Sequence, residues 1–131
     1  MAYEPLMDGK TTSNVYGEHV FKIRCTFGAS SEVTYRSKDA SIAKTTTTTF
    51  TVTLPKPYAE ITEFSQSWKK ATGADPLSLQ ITTDNLATAG TLILTSVSTN
   101  TAGTATAPAN GDVVYITLGV SCDSLNDKFT G

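Results

Sequence analysis

One stretch of 17 residues, TTTTTFTVTLPKPYAEI from Thr45 to Ile61, restricts what this chain can fold into more than any other. Within it Phe50, Val52 and Leu54 alternate with Thr49, Thr51 and Thr53. Side chains alternate across a pleat with period two, so the spacing predicts a strand with one apolar face for a core. The hydroxyl face is left wet or set against another surface. Pro55 and Pro57 end the run, because proline offers no N–H to a ladder. The chain holds 24 threonines in 131 residues, and their β-branched side chains, stiff at χ1, favour strands over helices throughout. A chain of this length is expected to form one domain with a real core.

The same period recurs on both sides of this segment. In HVFKIRCTF, from His19, the residues Phe21, Ile23, Cys25 and Phe27 oppose Lys22, Arg24 and Thr26, which predicts a first firm strand. Gly28 to Ser31 supplies turn chemistry, Glu32 to Arg36 alternates weakly, and Ser41 to Thr45 reads as a further short strand. The five threonines leading into Phe50 are taken as strand-compatible residues. Ala59 to Lys70 has mixed parity, and its serines, Thr62 and the nearby prolines favour a bent strand over a helix. Leu77 to Thr83 alternates cleanly, and Asp84 to Gly90 is a connection. Leu92, Ile93 and Leu94 suggest a central strand over Thr91 to Ser98. Asn100 to Gly111 is expected to be an exposed hairpin tip, and Asp112 to Cys122 the closing strand.

Short strands divided by Gly, Pro and Asn turns predict an all-β fold, an antiparallel β-sandwich or jelly-roll-like barrel. The domain is expected at 19–122, preceded by an extended N-terminal arm at 1–18 and followed by a polar C-terminal tail at 123–131. The arm carries Tyr3, Leu6, Met7, Val15 and Tyr16 with no regular period. It reads either as a frayed terminus or as a strap that needs a neighbouring surface to bury these residues.

Residue chemistry argues against several function classes. His19 is the sole histidine, so no His-paired nucleophile or multi-His zinc site can be built within one chain. Asp75, Asp84, Asp112, Asp123 and Asp127 fall mostly in predicted turns, where Asp bonds its own backbone. Neither phosphate-loop spacing nor the calcium-loop pattern occurs. No catalytic residue, cofactor or metal is expected, and the chain reads as a non-enzyme. A net charge of −2 with scattered cations argues against nucleic acid as a partner. Apolar runs too short for a bilayer, and a start unlike a secretion signal, predict a soluble chain with no membrane partner. Cys25 and Cys122 read as small buried hydrophobes, with a bridge between the first and last core strands as the alternative.

A likeness enters through VFKIRCTF, the GASSE turn, TTTFTVTLPKPYAEI and DVVYITLGVSC. This series resembles small structural proteins of tailed bacteriophages that carry a G/T-x-[FY]-T-V-T-L-x-x-x-Y segment after a turn-rich first hairpin. The matching residues are Thr48, Phe50, Thr51, Val52, Thr53, Leu54 and Tyr58, within a looser likeness over Val20 to Ser121. Threonine stands where a glycine often precedes the aromatic, and the arm is outside the match. The resemblance implies a capsid decoration, or cement, protein. Such a subunit is small, β-rich and often trimeric, is made in the host cytoplasm, and sits on the virion surface over junctions between major capsid proteins.

On that view Tyr3, Leu6, Met7 and Tyr16 dock the arm on adjacent subunits. Thr49, Thr51 and Thr53 offer an assembly face, and Trp68 is a further candidate contact. Two rivals remain at this stage. One is a fibre or adhesin-type carbohydrate- or receptor-binding module using Trp68, Tyr35 or Tyr58 as a stacking surface. The other is a virion hydrolase domain with paired carboxylates in a cleft.

Overall fold

A computed structural model describes residues 18–71, 76–100 and 103–122. Among them the elements are β1 (Glu18–Phe27), β2 (Val33–Arg36), β3 (Ser41–Lys44), β4 (Thr49–Thr53), β5 (Glu60–Lys69), β6 (Leu77–Asn85), α1 (Leu86–Ala89), β7 (Thr91–Ser98) and β8 (Val113–Ser121). They form two antiparallel four-stranded sheets, sheet A in the order β2-β1-β8-β5 and sheet B in the order β3-β4-β7-β6. The fold is an all-β sandwich. Its first strand begins at Glu18, one residue ahead of the expected boundary.

Two kinds of connection build the sandwich. β1–β2 and β3–β4 are local hairpins, one in each sheet. β5–β6 and β7–β8 instead make one long ribbon that turns at α1, with β6 on β7 in sheet B and β5 on β8 in sheet A. The ribbon joins the hairpins through β1–β8 and β4–β7, so the central strands of both sheets are held by pairings distant in sequence.

The inner faces are those that parity predicts. Phe21, Ile23, Cys25 and Phe27 of β1 meet Phe50, Val52, Leu92 and Leu94 of sheet B, with Val114, Ile116, Leu118 and Val120 alongside, all buried. Phe27 anchors the centre, edge-on to Phe50 at 5.1 Å and stacked on Trp68 at 5.7 Å. Ala59 to Lys70 is the expected bent strand, and its mixed parity has a cause: a bulge between Ile61 and Glu63 resets which residues face inward.

Three readings need correction. Of the five threonines only Thr49 is in a strand, while 45–48 form the β3–β4 turn. There the Thr46 hydroxyl accepts the Thr49 N–H at 3.1 Å, a local bond that competes with a ladder. Residues 103–111 are not a hairpin tip, because β7 and β8 lie in different sheets. This segment runs back over β7, with Thr106 N–H bonded to Ser96 O and Ala105 bridged to Val97. The connection after Asp84 contains α1, whose Leu86 N–H is accepted by Asp84 Oδ1 at 2.9 Å. Cys25 and Cys122 are free, Cys25 buried as its reading as a small hydrophobe expects and Cys122 part-buried, and the alternative of a bridge falls. Cys25 lies opposite Val114, eight residues up β8 from Cys122, which is about 26 Å of strand and far too long to bridge. Burial pushes the Cys25 thiol up to about 12, which leaves it an inert core residue.

Three polar clasps close the margins. Asp112, fully buried, pairs with Lys70 and accepts the N–H groups of Ala71 and Ala109 at 2.9 and 2.8 Å. Burial pushes its carboxyl up, but these bonds and the ammonium outweigh that and hold it below the usual carboxylate range. Gln66 joins the two sheets at the β5–β6 margin. Its Oε1 accepts Leu79 N–H at 2.7 Å, its Nε2 donates to Leu79 O at 2.9 Å, and Trp68 Nε1 donates to the same Oε1. At the far end Gly90 takes φ +71°, and a Cβ there would lie 2.7 Å from Lys56 O. That close approach lets Leu54 N–H reach Gly90 O, and Tyr58 N–H reach Leu86 O.

Candidate assembly surfaces

The alternation that sends Phe50 and Val52 inward leaves Thr49, Thr51 and Thr53 on the outer face of sheet B. Register fixes what lies beside them. Thr49, Thr51 and Thr53 of β4 face Thr95, Ile93 and Thr91 of β7. Beyond these lie Ser41 and Ala43 of β3 on one side, and Gln80, Thr83 and Asn85 of β6 on the other. No residue in these rows is charged. Hydroxyls bond across the face, Thr45 to Thr51 at 2.6 Å and Thr82 to Thr95 at 2.9 Å, which fixes rotamers before any partner arrives. Covering neutral hydroxyls costs far less than covering charges. The footprint is small, however: four strands by five residues is roughly 300 Å² of flat area, against about 800 Å² per partner in a typical stable interface. One such contact is weak and gains strength by repetition.

Sheet A has the opposite outer face. Arg24 of β1 stands in register with Arg36 of β2 and with Tyr115 of β8, and Lys22 with Thr117. The Arg24 guanidinium lies 5.8 Å from the Tyr115 ring centroid. At the other end of this face Glu18 and Glu60 flank Ser121, and Glu63 flanks Gly119. The Glu18 carboxylate accepts the Thr62 hydroxyl.

Comparison with known proteins finds no matching family model, curated sequence or solved structure.

The remaining sequence-derived candidates divide sharply. Tyr3, Leu6, Met7 and Tyr16 lie outside the described residues, as does the tail. Trp68 is half-buried on the inner side of β5, stacked on Phe27 and hydrogen-bonded to Gln66, so its main contacts are with its own core rather than with the threonine face. Of the aromatics considered for stacking, Tyr58 is buried against Phe21, and only Tyr35 is exposed, at 44%. Tyr115 is equally exposed and was not singled out by the sequence, although its place between Val114 and Ile116 already marked it as outward by parity. No group of three or more His, Cys, Asp or Glu side chains that could hold a metal occurs among the described residues. No helix there is long and apolar enough to cross a membrane.

Proposed function

We propose that this chain is a non-enzymatic capsid decoration protein of a tailed bacteriophage, bound to the major capsid protein on the virion surface and acting as a homotrimer. One observation carries the reading: the segment that resembles such proteins, Thr48 to Tyr58, is also the one that presents an uncharged, rotamer-fixed hydroxyl row on the outer face of sheet B. A decoration subunit needs a rigid scaffold and a modest contact repeated many times, and a roughly 300 Å² threonine face on a two-sheet sandwich suits that demand. The resembling residues Leu54 and Tyr58 are buried, and their backbones bond to Gly90 and Leu86, so they brace the strand that displays the row.

The test mixes purified protein with empty capsids. Near-stoichiometric binding that is lost in Thr51→Arg is the expected result, and no binding at any protein concentration tried would sink the proposal. Native mass of the capsid-released protein checks the trimer. The 44% exposure of Tyr35 and Tyr115 favours a carbohydrate-binding module as the second reading. Saturable binding on a glycan array that disappears in Tyr115→Ala would establish it instead.

A further inference from the structure

The cationic end of sheet A's outer face is built in a way that folding alone does not account for. Arg24 and Arg36 are direct cross-strand neighbours, about 5 Å apart at Cβ, an arrangement that repels. Lys22 lies on the same face one pleat along, about 7 Å from Arg24. None of the three forms an ion pair with a carboxylate among the described residues, where the one ion pair is Lys70–Asp112. The chain has 12 acidic residues against 10 basic, so counter-charges are not scarce. On this face Glu18, Glu60 and Glu63 are simply placed at the other end. Between the three cations, Tyr115 and Thr117 lies an open depression of about 270 Å³.

The geometry points to a docking site for an extended acidic segment of the partner protein, with Asp or Glu at alternate positions. In an extended chain alternate side chains project to one side about 7 Å apart, the spacing of Arg24 and Lys22. A guanidinium takes a carboxylate in a two-pronged bond, and the Tyr115 ring orients the Arg24 fork for it. The adjacent Arg36 then changes from a source of repulsion to a second donor for the same anion. A sugar is the poorer occupant, because the ring on which it would stack already carries the Arg24 guanidinium. Naming the partner as a capsid subunit rests on the decoration reading; the acidic chemistry of the occupant does not.

Fluorescence anisotropy of a labelled peptide alternating Glu and Thr, titrated with the full chain at low salt, tests the site. The expected result is saturable binding that weakens steeply with added salt and is absent for a peptide alternating Gln and Thr. Binding should drop at least about tenfold in Arg24→Gln/Arg36→Gln, and Arg24→Lys/Arg36→Lys, which keeps the charge but loses the fork, should bind between that variant and the wild type. Circular dichroism of each variant reports the fold. Equal binding of both peptides, or unchanged binding by the Gln variant, overturns the proposal, as does binding of a heparin fragment without binding of the acidic peptide. On capsids, failure of the wild-type chain to bind defeats the decoration reading alone. Wild-type binding that the Gln variant matches at all salt concentrations defeats this inference alone.

Discussion

The two outer faces of the sandwich solve opposite problems. Sheet B turns out a row of neutral hydroxyls that bond to one another, while sheet A turns out like charges that repel one another. The first face is finished in isolation and loses little when covered. The second leaves Arg24 and Arg36 side by side without an ion pair among the described residues, and an acidic partner would supply the missing counter-charge. A face of the first kind suits contacts made by shape and repetition, and a face of the second kind suits a partner chosen by charge.

The contrast fails if either face is also what holds the monomer together, so the largest expected effect is a control away from both. Asp112→Ala leaves Lys70 without its partner and frees the N–H groups of Ala71 and Ala109. It should cost about 4 kcal/mol in urea unfolding and lower binding through both faces in step. The same clasp sets the acid limit. The folded carboxyl is held below its ordinary value of 3.8, so its contribution is full above that pH and is lost as pH falls through the lower folded value. Wild-type stability should therefore drop more steeply below about pH 4 than that of Asp112→Asn, measured by thermal melts across pH.

Next comes Thr51→Arg, which places an unpaired charge at the centre of the neutral face. Capsid affinity should fall about 100-fold, while monomer stability shifts by about 0.5 kcal/mol or less. If affinity holds, the threonine face is solvent-facing and the comparison collapses. Smallest is Arg36→Thr, which removes the cross-strand repulsion without touching the Arg24–Tyr115 stack. Stability should rise by about 0.3 kcal/mol at low salt, and the gain should vanish at high salt. A loss instead would show that the arginine pair contributes to folding through its aliphatic stems.

These effects also mark how far the sequence alone can be read. Inner-face residues such as Phe21, Phe50, Val52 and Ile116 were legible because period two is a local property of the chain. The opposition of Arg24 and Arg36 was not, because a one-residue change in hairpin register would separate them, and register is set by the turn at Gly28 to Glu32. α1 spans four residues, too few for a helical period, and rests on the contact between Gly90 and the Lys56 carbonyl. The segment 103–111 read as exposed because its residues are small and polar. Its burial of Pro108 and its bonds to Ser96 and Ser98 come from lying on β7, a tertiary fact with no local signal. Gln66 did leave a trace in the mixed parity of β5, where a polar residue shares the inward side with Phe64 and Trp68.

That glutamine has a consequence for how the edge of sheet B meets other chains. Its amide offers Leu79 one acceptor and one donor, the two bonds that an incoming strand would otherwise supply. A side chain thus imitates a neighbouring strand at the open margin of β6, and at that point another chain's backbone finds nothing left to bind. Strand addition by a second copy of the chain is thereby disfavoured at this point of the sheet B edge.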